Sequence, residues 1–223
     1  MDFSEAYEFL FRYVNYETQP TGTYDPQLFS LSRIRRLLSS LGDPHQRYPS
    51  VHIAGTKGKG SVAAMVESVL SAAGHRAGLY TSPHLCDLRE RFQIERTNIS
   101  KADFASVMSD MRPHVEELTG VTFFEIATAL ALEWFARHNV SVAVLEVGLG
   151  GRLDATNVVS PAICAITSIS FDHVSLLGKT LGEIAAEKGG IIKTGVPVVC
   201  APQKPAALAR LEEIASEHHA PFR

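Results

Sequence analysis

One short stretch limits what this chain can become: His52-Ile53-Ala54-Gly55-Thr56-Lys57-Gly58-Lys59-Gly60-Ser61. An apolar run from Val51 to Ala54 enters it, and a run rich in Ala, Val and Leu, from Val62 to Ala73, leaves it. The first reads as a strand and the second as a helix, so the glycines form a strand-to-helix loop. Such a loop is a phosphate cradle. Glycine lets backbone N–H groups close around oxyanions, the helix N-terminus adds partial positive charge, and a lysine neutralises phosphate. The spacing departs from the ordinary P-loop, which has four residues between its first Gly and the Gly-Lys pair, then Ser or Thr directly after Lys. Here only Thr56 and Lys57 separate Gly55 from Gly58, and Gly60 stands between Lys59 and Ser61. A plain tight turn would need neither Lys59 nor Ser61.

The 223 residues suggest one large domain, or one and a part. A formal net charge of −3 gives no electrostatic case for nucleic acid or an anionic membrane. No apolar run approaches the length of a membrane span, and Met1-Asp2-Phe3-Ser4-Glu5 lacks the order of a secretory signal. Cys86, Cys164 and Cys200 are scattered and form no CxxC pair, which argues against a disulfide scaffold or a cysteine zinc site. A reducing cytoplasm is the natural compartment.

Read in order, the chain alternates helices and strands. Residues 1–48 carry two amphipathic helices, one from Phe3 to near Asn15 and one over Leu31–Leu41, with a loop over Thr18–Pro26 between them. Arg33, Arg35 and Arg36 fall on the second, and a solvated basic face is the simpler reading over a ligand-binding one. Residues 49–223 form the P-loop α/β core. Strands are expected at Val51–Ala54, Ala77–Thr81, Val142–Val147, Ala162–Ser168 and Val196–Cys200. Helices are expected at Ser61–Ala73, Lys101–Leu118, Phe123–His138, Leu181–Lys188 and Pro205–His218. Ser100 should cap the second of these, with Asp103 as its capping-box partner. A charged loop should run from Ser82 to Asn98. The expected architecture is α/β, a mostly parallel, doubly wound sheet with flanking helices. Ligands of such sheets bind beyond the C-terminal strand ends.

The informative residues cluster at those ends. An ATP phosphate site needs a divalent cation with hard oxygen ligands. Ser82, Glu146, Asp154, Asp172 and His173 are candidates. Glu146 interrupts the apolar run Val142–Val147, and a carboxylate there is costly to bury without a partner. Three of them have a plainer reading: a structural salt bridge for Glu146, a loop histidine for His173, a turn residue for Ser82.

Six stretches carry a family resemblance. They are Gly55 to Ser61, Ser82-Pro83-His84-Leu85, Phe123-Phe124-Glu125, the glycine-rich run Leu145 to Asn157, Thr167 to His173, and Glu187 to Lys193. With them the chain resembles the folylpolyglutamate synthase/dihydrofolate synthase family of the Mur ligase superfamily. The resemblance covers residues 51–193, and the run Leu145 to Asn157 is its most specific part. It also accounts for Gly60, because this branch carries Gly between the Lys and the hydroxyl residue. One departure is mild: Glu187-Lys188-Gly189-Gly190-Ile191 stands where the family usually has Ala in third place.

The resemblance implies ATP-dependent ligation of L-glutamate to dihydropteroate or a folate, by way of an acyl phosphate, with Mg2+. It implies that Lys57, Gly58, Lys59, Gly60 and Ser61 hold the ATP phosphates. Lys59 would place charge at the β/γ end, and Ser82, Glu146 and His173 would be magnesium ligands. Thr122, Phe123, Phe124, Glu125, Leu153, Asp154 and Ala155 would line the pterin site, although plain core packing is an equal reading for the two phenylalanines. Lys188 falls where the family carries a carbamylated lysine. A helix-end lysine favoured by the helix dipole is the plainer alternative.

Family members continue through the rest of the ATPase domain into a smaller C-terminal domain, so this chain is expected to be a fragment or one half of a split gene. Its C-terminal third is then expected to show unpaired edges and apolar patches. The partners implied are small molecules and a separately encoded C-terminal half, with no nucleic acid and no membrane. Two other readings stand beside the folate ligase. One is another amide ligase of the superfamily; the other is a nucleotide-binding module without turnover.

Overall fold

The computed structural model describes residues 1–17 and 30–223. The loop expected over Thr18–Pro26 lies outside the described residues. Among these, a seven-stranded sheet has the order β4-β3-β2-β5-β1-β6-β7. The strands are β1 Ser50–Ala54, β2 Ala77–Tyr80, β3 Phe92–Ile94, β4 Thr97–Asn98, β5 Val142–Glu146, β6 Ile163–Ile166 and β7 Val198–Cys200. Five of them, β2, β5, β1, β6 and β7, pair in parallel. β3 and β4 add an antiparallel edge. That edge corrects the expectation of a loop up to Asn98. The two strands are only three and two residues long, too short to show a period of two in sequence.

The helices are α1 Phe3–Phe11, α2 Leu31–Ser40, α3 Lys59–Ala72, α4 Lys101–Glu116, α5 Phe123–Arg137, α6 Val174–Leu177, α7 Leu181–Gly189 and α8 Pro205–Glu217. α1 stops four residues short of Asn15, and α6 falls inside an expected loop. Ser100 caps α4 by accepting the Asp103 N–H. The Asp103 carboxylate does not complete a capping box; it lies 3.8 Å from His138 Nε2.

Parallel strands covered on both faces read as unbroken apolar runs. Within β5, Val144 packs with Ile53, Leu79 and Ala63 under α3. Its neighbours Ala143 and Leu145 join the large cluster formed with α1, α2, α4 and α5. Cys164, Ile166 and Val198 carry the core on to α7 and α8. The outer edge of β7 is not bare. Val198 N–H donates to Pro221 O (2.8 Å) and Cys200 N–H to Arg223 O (2.7 Å). Val199 is half exposed there.

Candidate nucleotide and pterin site

β1 runs straight into the glycine loop. Gly55 has φ +144°, and a Cβ on it would sit 1.8 Å from Thr167 Oγ1. Only glycine fits that approach. The loop is tied to the segment after β6. Thr56 N–H donates to Ser168 O (2.9 Å), and Ser170 N–H donates to Thr56 Oγ1 (3.1 Å). Lys57 is exposed and bridges antiparallel to Ser168. Gly58, at φ +83°, occupies the N-cap position of α3 and offers no side-chain cap. Lys59 opens the helix, and Gly60 and Ser61 complete its first turn. A helix N-terminus with no capping side chain presents its first N–H groups outward, as an anion site requires.

Glu146 ends β5 beside this turn and is buried. Its Oε2 accepts the Ser82 N–H at 3.1 Å. Burial pushes its carboxyl above the usual carboxylate range, while the Ser82 N–H, the Lys59 charge and the Gly60 N–H act against that rise. Ser82 therefore meets Glu146 through its backbone. His173 follows the segment after β6. It takes the left-handed N-cap position of α6 (φ +47°), is half exposed, and has Nε2 3.8 Å from Asp172 Oδ1. Among the described residues, no three His, Cys, Asp or Glu side chains gather as a metal site.

Lys188, near the end of α7, is buried and donates from Nζ to Gly55 O at 2.9 Å. Burial lowers its pKa to about 8, with help from the Lys59 charge. It is therefore a buried amine, touching the phosphate loop, that gives up its proton far more readily than an ordinary lysine.

Beside the loop lies a cavity of about 590 Å³. Thr122, Phe124, Glu125, Leu153, Asp154 and Ala155 line it, and so do Ser82 and His173. Phe123 does not. It is fully buried, tilted against the Phe11 ring, with the Arg91 guanidinium 5.3 Å over its own ring. Its expected place in the pterin site is corrected to the core. Phe123 turns to the core side of α5, where Phe11 and Arg91 cover it, while Phe124 and Glu125 face the cavity. Phe124 rests on Gly148, where a Cβ would lie 2.5 Å from its ring. Asp154 is buried and spends both oxygens on its own loop. Oδ2 accepts Leu149 N–H at 2.9 Å, and Oδ1 accepts Thr156 N–H at 3.0 Å and the Thr156 hydroxyl at 2.5 Å.

Two ion pairs complete the cavity wall. Arg33 Nε reaches both Glu125 oxygens (3.1 and 3.2 Å). Arg33 is thus a cavity residue, not part of a solvated face. Burial raises the Glu125 carboxyl, and Arg33 works against the rise. Arg91, buried, forks onto Glu17 (2.9 and 2.6 Å) and donates from Nε to His84 Nδ1 (2.8 Å). Burial and the Arg91 charge lower the His84 pKa. Sequence reasoning did not single out Arg91 or Glu17. Arg91 sits in the alternating charges Arg89-Glu90-Arg91, and nothing there marks the one that turns inward.

A glycine loop at the C-terminal end of a central parallel strand, with an aromatic cavity beside it, is the arrangement in which open α/β sheets place their ligand sites. The chain belongs to the Mur ligase family: residues 53–204 match the model of the Mur ligase middle domain. Its curated relatives are folate enzymes. It is 43% identical over 199 residues to the dihydrofolate synthase/folylpolyglutamate synthase of Bacillus subtilis, covering 86% of this chain and 46% of that protein. It is 46% identical over 173 residues to a folylpolyglutamate synthase of Arabidopsis thaliana, covering 75% and 30%. Among solved structures, folylpolyglutamate synthase from Thermotoga maritima superposes with a TM-score of 0.86 at 40% identity, covering 99% of this chain and 49% of that one. An FPGS–AMPPCP–folate complex gives 0.90 at 36%, covering 100% and 53%. The chain thus spans about half the length of these solved structures, and less than half of the two curated relatives.

Proposed function

We propose that this chain forms the nucleotide- and pterin-binding half of an ATP-dependent ligase that joins L-glutamate to dihydropteroate or a folate. The observation that carries the reading is one juxtaposition. The N-terminal turn of α3, with Lys59 and the buried Glu146, opens beside a cavity walled by Phe124, Leu153 and Ala155. An aromatic wall suits a flat heterocycle. The relatives support the substrate class: their names are folate synthases, and one solved neighbour holds both AMPPCP and folate.

The chemistry follows from the reluctance of a carboxylate to react with an amine. A substrate carboxylate oxygen takes the γ-phosphoryl group of ATP, and ADP leaves. The glutamate amine then attacks the acyl carbon, phosphate leaves, and the amine proton is lost to solvent. Little covalent work falls to the protein, so positioning and charge neutralisation dominate. Lys57, Gly58, Lys59, Gly60 and Ser61 hold the phosphates. Thr122, Glu125 and Asp154 shape the pterin end.

Mg2+ fits the donors near the loop. Among the described residues Glu146 accepts two backbone N–H groups, which leaves lone pairs for an ion, with the Ser82 hydroxyl and His173 as further ligands. Such an ion would neutralise charge on the β- and γ-phosphates. Lys188 suits carbamylation, in which Nζ adds CO₂ and releases a proton. Its lowered pKa supplies the neutral amine, and the carbamate N–H can keep the bond to Gly55 O. The product is an anion that suits a magnesium-bound nucleotide. The cysteines stand free, which suits a reducing cytoplasm. No described helix is long and apolar enough to cross a membrane. The glutamate site and the cover over ATP belong to the other half of such a ligase, in the same chain or as a separately encoded partner.

Calorimetric titration with AMPPCP tests the phosphate site. Lys59→Ala should weaken binding at least about tenfold, the scale of one charge-assisted contact, with circular dichroism unchanged. Unchanged affinity would remove the phosphate-site claim. The carbamate is tested in an active ligase. Lys188→Ala should abolish ligation, and added acetate should restore part of it. Full activity without acid excludes the carbamate.

A further inference from the structure

His52 lies in the middle of β1, the sheet's central strand, in register with Leu145 and Cys164. It has no exposed surface. An apolar residue would fill such a position at less cost, because a buried polar atom without a partner is destabilising. Here Nδ1 has none. The other nitrogen, Nε2, lies 2.8 Å from Thr156 Oγ1. That hydroxyl in turn lies 2.5 Å from Asp154 Oδ1.

The chain of hydrogen bonds has a fixed direction. Burial raises the Asp154 carboxyl, and the N–H groups of Leu149 and Thr156, one on each oxygen, work against that rise and hold it as a carboxylate acceptor. The single Thr156 hydroxyl proton therefore points to Asp154. Thr156 Oγ1 must then accept, and His52 must donate from Nε2. This leaves the proton off Nδ1, the atom with no partner. Burial holds the imidazole pKa at about 3, so the ring stays neutral and keeps this tautomer. An orphaned lone pair is the smaller loss; an orphaned N–H in the opposite tautomer would be worse. Asp154 in turn caps the short 3₁₀ turn Ala155–Val158 and holds the Leu149 N–H. Leu149, Leu153, Asp154 and Ala155 are all cavity wall.

We propose that His52 is a positioning residue for the cavity: through Thr156 it orients Asp154, and so fixes the loop at residues 148–156 that forms one wall. The inference rests on the proposed pterin reading only for the identity of the ligand. Its object is the shape of the wall.

Two measurements test it. The first needs no ligand. Hydrogen exchange of the Leu149 and Thr156 amides should speed up at least about tenfold in His52→Leu and in Thr156→Val, the loss of one buried hydrogen bond. Strand amides such as Val144 should keep their protection. His52→Gln places an amide donor where Nε2 stands and should restore slow exchange. The second measurement is titration with folate and, separately, AMPPCP. Folate affinity should fall about tenfold in His52→Leu and Thr156→Val and recover in His52→Gln, while AMPPCP affinity stays within about twofold. Loop exchange unchanged in both variants overturns the inference. So does exchange that rises equally in loop and strands, which would mark His52 as a core residue only. Should His52→Leu fail to fold, Thr156→Val and His52→Gln carry the same comparison. A wild-type protein that binds no folate defeats the pterin reading, and the exchange experiment still decides the role of His52.

Discussion

The phosphate loop and the cavity lie side by side but are built differently. Backbone makes most of the loop. Its bonds run from Thr56 to Ser168 and between Thr56 and Ser170, and Gly55 leaves no room for a Cβ. The cavity is built from side chains drawn from distant parts of the chain. Arg33 on α2 pairs with Glu125 on α5, and Arg91 pairs with Glu17, 74 residues away. A wall of backbone tolerates most side-chain changes and fails at its glycines. A wall of buried ion pairs fails wherever one partner is lost, because the other remains buried and unpaired.

The largest expected effect is therefore at Gly55. In Gly55→Ala, the new Cβ meets Thr167 at 1.8 Å on a backbone with φ +144°. Relief requires β1 and β6 to separate where the loop begins. We expect a loss of about 4 kcal/mol in denaturant titration and no measurable AMPPCP binding. A variant of near-native stability would mean that the loop is held less rigidly than the cavity, reversing the comparison.

The same difference explains how much could be read from sequence. Contiguous backbone features are visible in one dimension. The strand, the glycines and the helix after them stand within residues 50–72, and their expected bounds match β1 and α3 closely. Glu146 stood out as a charge in an apolar run, and it does lie against the first turn of α3. Arg91, by contrast, is one of two arginines flanking Glu90. Arg89 pairs locally with Asp87, while Arg91 turns inward to Glu17. Only the path of the chain decides between them. β3 and β4 are too short to show alternation, and nothing in Phe123-Phe124-Glu125 marks which of the two rings turns into the core.

The next effect is at the cavity. In Arg33→Met, Glu125 stays buried without its cation, and we expect a loss of about 3 kcal/mol at pH 7. The sign of the pH dependence follows from the Glu125 carboxyl. Burial already raises it above the ordinary value, and removing Arg33 raises it further. A raised folded pKa contributes stability below the unfolded value, and that contribution is lost as pH rises through the folded value. The gap between variant and wild type should thus narrow as pH falls through the acidic range. A gap that holds constant down to pH 4 would show that Glu125 is not the group left unpaired.

Lys188 touches the loop but obeys the logic of the cavity, as a buried charge. Its pKa, lowered to about 8, means that the folded chain must strip a proton or bury an ammonium. Below pH 8 that cost is fully present, and stability should rise between about pH 8 and 10.5. Lys188→Met removes the cost and loses the bond to Gly55 O. Net stabilisation of about 2 kcal/mol is expected at pH 7, fading toward pH 10. Equal pH profiles for variant and wild type would show that the amine is solvated.

Thr122 gives the smallest effect and the sharpest separation of structure from binding. Thr122 lines the cavity and also caps α5. Its Oγ1 accepts the Glu125 N–H at 3.2 Å, while Glu125 Oε2 accepts the Thr122 N–H at 2.8 Å. The same Glu125 carboxylate pairs with Arg33, so the cap and the ion pair share one group. In Thr122→Ala the reciprocal cap loses one of its two bonds, which should cost about 1 kcal/mol. Thr122→Ser keeps the hydroxyl and should recover that loss. Folate affinity then separates two roles. When Thr122 acts only by holding Glu125 in place, the serine variant binds folate as well as wild type, and the alanine variant binds it a few-fold more weakly. When the threonine methyl itself packs on the ligand, both variants weaken alike although serine restores stability. The second result would make this stretch of the wall a contact surface for ligand. The first would leave it a scaffold whose work is to hold Glu125 and Arg33 together.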